Sequence, residues 1–306
     1  MSNLSAPYLH NEEAAYDFLE GVMWPTGPVC PHCGGVDRIS TIRPNPEKRV
    51  RYGLKRCADC KKQFTVKVGT VFEASKVKLH LWLQAVVLVA ASKEGISAHQ
   101  LPRALGVTYK TAWFMCHRIR EAMRSGDLAP FGTGGGTVEV DETYIGQDDK
   151  PRTNKRGPHH KQKVLSLVDR ESGRARSFVV DNMRKTEVLP ILRENIAKEA
   201  TVYTDESTLY TTLSNEFGDH DHVNHRSGEY GRGDVHTNTI EGYFSIFKRG
   251  MKGVYQHCAH KHLHRYLAEF DFRYNNRERL GVNDMERTAT ALRGIVGKRL
   301  TYNQPH

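Results

Sequence analysis

The chain has 306 residues and a formal net charge of +10, with 38% hydrophobic and 26% charged residues. This length allows more than one domain with a sizeable core, and the positive charge favours a polyanionic partner. No run of 18 apolar residues occurs, so no membrane partner is expected. The N-terminus lacks the basic start and apolar core of a signal peptide, which predicts a cytoplasmic protein with reduced cysteines.

Composition and hydrophobic periodicity divide the chain into six segments: 1–23, a helical segment; 24–72, with two cysteine pairs; 76–128, helical; 129–137, a glycine-rich linker; 138–280, alternating strands and helices; and 281–306, a C-terminal tail. The fifth segment begins with three strands, two of which have a hairpin's turn chemistry in KVLSLVDR-ESG-RARSFVV. A helix, a further strand and more helices follow. This order predicts an α/β layer fold with a mixed sheet.

Two C-x2-C pairs, Cys30/Cys33 and Cys57/Cys60, are separated by 23 residues. Four thiolates on two tight turns can supply a closed tetrahedral zinc site, and residues 44–46 (Pro-Asn-Pro) could form the tip of a hairpin between the pairs. Two disulfides or four unrelated thiols are the alternatives. We predict a structural Zn²⁺ ion without an open coordination position for chemistry.

The third segment contains two short helices separated by a turn. Ser97 begins a capping-box pattern, Gly106 marks the end of the first helix, and Thr108 can cap the second. This spacing is typical of a helix-turn-helix, whose second helix would enter the major groove of DNA. Tyr109 and Lys110 would then contact the DNA, whereas an αα-hairpin without DNA contact is the alternative.

Three acids occupy separate predicted elements of the fifth segment. Asp141 lies in the strand pattern TVEVDETYIG, Asp205 ends the strand-like run ATVYTDES, and Glu241 lies in the helix pattern HTNTIEGYFSIFKRG. A pair of divalent cations needs a few carboxylates from separate elements, and can clamp both oxygens of an in-line phosphoryl displacement. We predict that the three acids form such a site. The competing acids are expected to be solvated, namely Glu139, Glu142, Asp169 and Asp181.

The predicted helix around Glu241 has two adjacent faces. An apolar stripe consists of Ile240, Tyr243, Phe244, Phe247 and Met251. Beside it, a polar face at i, i+3, i+7 and i+10 consists of Asn238, Glu241, Ser245 and Lys248. An amide, an acid, a hydroxyl and a base on one face suit contact with metal and phosphate together.

Basic residues flank these acids in the sequence. One run, 150–163, contains Lys155 and Arg156, and a second begins at Arg249, directly after Lys248. Such runs are usually only solvated. Their position beside the predicted site favours phosphate contacts, which would add affinity for DNA without reading its sequence.

The C-terminal half resembles the catalytic domain of DDE-type insertion-sequence transposases of the ISXO2-like class, in VEVDETYIG, VYTDES, HTNTIEGYFSIFKRG and HRYLAEFDFRYNNR. The N-terminal half is similar to that family's zinc ribbon, in C-x2-C followed by CADCKKQFTVKVGTVFEASK, and to its helix-turn-helix. The resemblance implies an RNase-H-like catalytic fold, with Asp141, Asp205 and Glu241 as ligands of Mg²⁺ (or Mn²⁺). It also implies that Lys248 contacts the DNA end. Because some relatives carry asparagine in place of the third acid, Asn238 is the alternative ligand.

The function implied by the resemblance is DNA transposition. One metal would help to generate an attacking hydroxide and the other would stabilise the leaving 3′ oxygen, after which the freed 3′-hydroxyl attacks target DNA. The expected partners are double-stranded DNA, as terminal inverted repeats and as target, and further copies of the chain in a synaptic homo-oligomer. A bacterial, nucleoid-associated location is expected. The alternatives are a zinc-ribbon and helix-turn-helix regulator without catalysis, and an RNase-H-like nuclease or resolvase.

Overall fold

The computed structural model describes residues 3–126, 129–147 and 160–301. It divides into two compact units, which we call the ribbon unit (Met1–Arg124 with Val282–His306) and the sheet unit (Ser125–Gly281). Within the described ranges, no helix has the length and apolar character needed to cross a lipid bilayer.

The strands in the part of the chain that the structure describes are β1 (Ile39–Thr41), β2 (Lys55–Cys57), β3 (Gln63–Phe64), β4 (Thr137–Ile145), β5 (Gln162–Asp169), β6 (Ala175–Val180), β7 (Thr201–Thr204) and β8 (Asp219–His222). The α-helices there are α1 (Glu12–Met23), α2 (Leu79–Ala91), α3 (Gln100–Leu105), α4 (Tyr109–Met123), α5 (Lys185–Asn195), α6 (Asn238–Gly250), α7 (His260–Asn275) and α8 (Asp284–Arg293). A π-helical turn, Met251–Tyr255, continues α6.

In the ribbon unit, α2 is the central apolar helix. Its start is capped by Glu12 of α1, whose carboxylate accepts hydrogen bonds from the backbone N–H groups of Leu79 (2.8 Å) and His80 (3.1 Å). These are donors that no residue of α2 can satisfy. Helix α8 also packs on α2 and begins with a capping box between Asn283 and Glu286. The sequence predicts only a tail at 281–306, whereas the structure has this packed helix there.

Helices α3 and α4 are joined by a three-residue turn. Gly106 ends α3 in the left-handed region (φ 66°), and the Thr108 hydroxyl accepts a hydrogen bond from the N–H of Thr111 at 3.3 Å. Both predicted boundaries are confirmed. Ser97 does accept a hydrogen bond from the N–H of Gln100 at 3.1 Å, although α3 begins only at Gln100.

The sheet unit is built on one five-stranded sheet in the order β6-β5-β4-β7-β8. The pairs β6/β5 and β5/β4 are antiparallel, while the pairs β4/β7 and β7/β8 are parallel. The predicted mixed sheet and hairpin are therefore confirmed. The sequence did not predict β8, because DHDH has no apolar alternation. The run predicted as a helix after Asp205 forms two short 3-10 turns, Thr208–Tyr210 and Leu213–Asn215.

Helices cover both faces of this sheet. Val138 and Val140 of β4 pack with residues of α5 in one apolar cluster. Glu139, which lies between them in sequence, points to the opposite face. On that face, apolar residues of α6 and α7 pack on β5. Glu139 and Asp141 therefore lie on the face that α6 covers, whereas Glu142 lies on the face that α5 covers, where it accepts a hydrogen bond from the Tyr210 hydroxyl.

The segment 129–137 was expected to be a linker, but it is packed within the sheet unit. Phe131 is buried and forms a bridge with Ile196. The N–H of Gly132 donates to the Asp169 carboxylate at 2.8 Å. Because Gly132 has φ +71° and a Cβ there would lie 2.5 Å from the Cβ of Ala200, this position requires glycine. Gly132 is therefore needed for close packing rather than for flexibility.

We predict that Gly132→Ala destabilises the sheet unit more than Gly134→Ala does. Both positions have positive φ, but a Cβ at Gly134 meets nothing within 4 Å. Each variant should lose about 1–2 kcal/mol to the left-handed backbone, and Gly132→Ala a further ~1–3 kcal/mol to overpacking. The free energy of unfolding, measured in the full chain by urea titration with hydrogen exchange at β5, checks this. Equal losses would mean that the segment is not packed as described.

Candidate active site

Asp141 and Asp205 are brought together by two adjacent parallel strands. Glu139 of β4 lies opposite Tyr203 of β7 in the register of that pair. Each aspartate is two residues further along its strand (141 − 139 = 2; 205 − 203 = 2). Side chains two apart share a face, so Asp141 and Asp205 project side by side, with Asp205 directly after the last residue of β7.

Glu241 reaches the same place from the first turn of α6. Its Oε1 accepts a hydrogen bond from the Thr237 hydroxyl at 3.0 Å and lies 3.5 Å from Nε2 of His225. The side chain is 47% exposed, whereas the predicted apolar stripe of α6 is buried throughout. Asn238 and Ser245 are exposed and Lys248 is half-buried. The two predicted faces of this helix are thus confirmed.

The charges of these carboxylates act on one another. The pKa of Asp141 is raised to about 8, first because the side chain is buried and then because Glu142, Asp205 and Glu241 repel its negative charge. Burial also raises the pKa of Asp205, partly offset by a hydrogen bond from the N–H of Ser207 (3.0 Å). The site concentrates negative charge, which a divalent cation would relieve.

The donor set fits hard divalent cations, because it consists of carboxylate oxygens from three separate elements. Their spacing is wider than that of a closed cage. Among residues that the structure describes, only the four cysteines place three or more ligand atoms within 4.8 Å of one another. The structure places Asp141 near enough to Asp205 and Glu241 for their charges to raise its pKa after the larger effect of burial.

The prediction that the competing acids are solvated is wrong for three of the four. Glu139 is fully buried and Asp169 is 7% exposed, since each accepts hydrogen bonds from distant groups. Glu142 is half-buried and accepts a hydrogen bond from the Tyr210 hydroxyl at 2.5 Å, and burial raises its pKa. Asp181 is exposed as expected.

Two groups near Glu241 were missed by the sequence analysis. His225 lies on the segment between β8 and α6, and its charge lowers the pKa of Asp205, against the larger effect of burial. Thr237 is the residue before α6. Their motif, a histidine-rich run before the Glu241 helix, is visible in HVNHRSGEYGRGDVHTN, but nothing in its spacing indicates contact with an acid.

The residues predicted to contact DNA are found on two surfaces, each within one unit. Tyr109 and Lys110 are exposed at the start of α4. On α6, the ammonium of Lys248 lies 5.7 Å from the centre of the Phe244 ring, and exposed Arg249 donates to the Ser245 hydroxyl at 3.3 Å. Lys155 and Arg156 lie outside the described residues.

The cysteine cluster has the geometry of a four-thiolate metal site. The Sγ atoms of Cys30 and Cys60 are 3.6 Å apart, and those of Cys33 and Cys57 are 3.7 Å apart. Tetrahedral zinc with Zn–S bonds of about 2.3 Å requires neighbouring sulfurs about 3.8 Å apart. No disulfide links these four cysteines, which are all free thiols. The residues between the pairs form a hairpin of β1 and β2, whose tip lies at 46–49, beyond the bridge of Asn45 with Val50, rather than at the predicted 44–46. The residues fit structural zinc.

We predict one zinc ion per chain, lost in Cys33→Ser or Cys60→Ser. A three-thiolate set cannot close the tetrahedron, so the ribbon strands should lose their order, while the sheet unit keeps its melting transition. Metal analysis of the purified protein measures the stoichiometry, with Cys258→Ser of the sheet unit as the control. Retained zinc in both ribbon variants, or a zinc content near zero in the parent, would contradict the assignment.

Comparisons with known proteins identify the family. Residues 134–275 match the ISXO2-like transposase domain, and residues 10–63 match the transposase zinc-ribbon domain. An uncharacterized protein in transposable element ISH50 of Halobacterium salinarum is 30% identical over 284 residues, which cover 86% of this chain and 90% of that protein. An uncharacterized transposase-like protein of Haemophilus influenzae is 30% identical over 102 residues, or 33% of this chain and 81% of its own length.

Among solved structures, a cryo-EM structure of a simian T-cell lymphotropic virus intasome in complex with a PP2A regulatory subunit matches with a TM-score of 0.30 and 13% identity. The match covers 56% of this chain and 63% of that chain; a likeness this weak carries no argument about fold or function. The family is assigned from two findings: the Halobacterium salinarum relative, whose match covers 86% of this chain, and the two matching domains. The chain belongs to the ISXO2-like family of insertion-sequence transposases.

Proposed function

We propose that this protein is a DNA transposase that binds the ends of an insertion sequence and carries out metal-dependent strand cleavage and strand transfer. The observation that carries the proposal is the convergence of Asp141, Asp205 and Glu241 from a strand, a strand end and a helix onto one acidic site. Membership of the ISXO2-like transposase family supports it.

The catalytic fold is proposed to be RNase-H-like. Three antiparallel strands followed by two parallel strands, in the order β6-β5-β4-β7-β8, support this assignment. So do the helices on both faces of the sheet. In such a sheet, residues at the carboxyl ends of neighbouring parallel strands gather at one edge, as Asp141 and Asp205 do.

In the proposed mechanism, Asp141, Asp205 and Glu241 hold two Mg²⁺ (or Mn²⁺) ions. When bound, these ions would activate the attacking oxygen and stabilise the leaving 3′ oxygen of an in-line displacement. Thr237, through its hydrogen bond to Oε1 of Glu241, orients that carboxylate. Glu241 is preferred over Asn238 as the third ligand, because the amide adds no charge to balance a divalent cation.

DNA is proposed to contact basic side chains in both units. Lys248 shares the exposed side of α6 with Glu241, seven residues earlier, and its ammonium can reach a phosphate near the metals; Arg249 adjoins it. In the ribbon unit, α3 and α4 are proposed to act as a helix-turn-helix, with Tyr109 and Lys110 at the DNA. Lys155 and Arg156 would add contacts to phosphates.

The partners follow from this reaction. The terminal inverted repeats and the target are both double-stranded DNA, and a homo-oligomer is proposed to hold the ends in a synaptic complex. The protein would therefore act at the nucleoid of a bacterial cytoplasm. The zinc ribbon is proposed to stabilise the fold or to bind a partner. It takes no part in the chemistry, because its four thiolates leave no open coordination position.

We predict that Asp141→Ala, Asp205→Ala and Glu241→Ala each abolish strand cleavage while leaving end binding largely unchanged. Loss of a ligand removes the metals, whereas affinity for DNA comes from phosphate and groove contacts elsewhere. Nicking of a DNA end with Mg²⁺ and gel-shift affinity should be measured in parallel.

The matched control is Asp181→Ala, which removes an exposed acid of the same unit and should leave cleavage intact. Cleavage that survives in Glu241→Ala but not in Asn238→Ala would show that Asn238 is the third ligand. A parent that binds ends without any metal-dependent nicking would be a regulator, and one that nicks without joining ends would be a nuclease or resolvase. Either result would contradict the proposed function.

A further inference from the structure

Glu139 is a fully buried carboxylate for which the proposed mechanism has no use. Its Oε1 accepts a hydrogen bond from Nε of Arg170 at 2.7 Å, and its Oε2 accepts one from the backbone N–H of Ile240 at 2.8 Å. A carboxylate without water is unfavourable unless it is paired with a charge and hydrogen-bonded. Both conditions are met here, since Arg170 supplies the charge and the start of α6 supplies a backbone donor.

The guanidinium of Arg170 is the centre of this arrangement. Besides pairing with Glu139, it donates to the carbonyl oxygens of Asp234 and His236 at 2.7 Å each. It also lies 4.9 Å from the centre of the Tyr203 ring. One side chain from the turn after β5 therefore touches β4, β7 and the segment that enters α6.

Those three segments are the ones that carry the acidic site. Glu139 is two residues before Asp141 on the same face of β4. Ile240, whose N–H it holds, directly precedes Glu241, and Tyr203 is two residues before Asp205. Asp141 and Glu241 are therefore linked through Glu139 and the N–H of Ile240. Asp205 is linked to them through Arg170 and its contact with the Tyr203 ring.

We propose that the Glu139–Arg170 pair positions the three metal-binding carboxylates, by locking the start of α6 to β4 and β7. This inference rests on the proposed ligand set of Asp141, Asp205 and Glu241. Neither partner is itself a metal ligand: Glu139 is 0% exposed, and Arg170 carries a positive charge. The role of the pair is to fix the position of Glu241 relative to Asp141 and Asp205. Such positioning matters because small displacements of supporting groups strongly weaken metal binding.

The test is direct binding of Mn²⁺ to the purified full-length protein, followed by the EPR signal of the free ion. Binding in Asp141→Asn defines the background from other acids. Glu139→Gln removes the charge but keeps the shape, and Arg170→Lys keeps the charge but not the fork that reaches three acceptors. Each should weaken Mn²⁺ binding at the site by about 10–100-fold, while a thermal melt shows that the variant is folded at the assay temperature.

The matched control is Glu216→Gln, which breaks a forked pair with Arg193 (2.9 and 2.5 Å) in the same unit but leaves these contacts untouched. Its Mn²⁺ affinity should equal the parent's. If Arg170→Lys, the milder change, is folded and binds Mn²⁺ as the parent does, the pair is only structural and the inference is overturned. If the parent itself binds no more Mn²⁺ than Asp141→Asn, the proposed ligand set fails, which is a separate outcome.

Discussion

The main constraint on the sheet unit is that several carboxylates lie close together in a site that is partly shielded from water. Such groups raise one another's free energy unless cations or hydrogen bonds compensate. The register of β4 with β7 places Asp141 beside Asp205, and the packed apolar stripe of α6 brings Glu241 to them. The burial of Val138, Ile240 and their neighbours therefore sets the geometry that the acids have to share.

The buried acids of the sheet unit differ in how their negative charge is compensated. Glu139 is neutralised by Arg170. Asp271, whose pKa burial raises to about 6, accepts hydrogen bonds from the Tyr243 hydroxyl (2.6 Å) and the N–H of Ser177 (2.9 Å). Asp141, in contrast, has a pKa of about 8 because burial is reinforced by neighbouring acids. The first two acids are compensated by the protein itself, whereas the third is compensated best by a cation from outside.

Much of this site could be predicted from the sequence, because the signals are local. The alternation of TVEVDETYIG places Asp141 on a strand, and the 3.6-residue period of the Glu241 helix separates its two faces correctly. The doubled C-x2-C spacing identifies the four cysteines that the structure brings together. In each case a short stretch of chain contains the whole pattern.

The features that were missed depend on contacts between distant residues. Glu139 has the sequence context of a solvated acid, and its partner Arg170 lies 31 residues away. Gly132 looks like part of a flexible linker until the approach of Ala200 is known. The pairing of β4 with β7 likewise joins strands about sixty residues apart. Such long-range pairings follow from the packing of the whole unit, which no local period encodes.

The most direct test of the central claim, that Asp141, Asp205 and Glu241 form one two-metal site, is anomalous scattering from crystals of the protein grown with Mn²⁺. Two peaks about 3.5–4 Å apart are expected, in contact with these three carboxylates. Peaks elsewhere on the acids, for example at Glu142 alone, or no peak near Asp141 in well-occupied crystals, would contradict it.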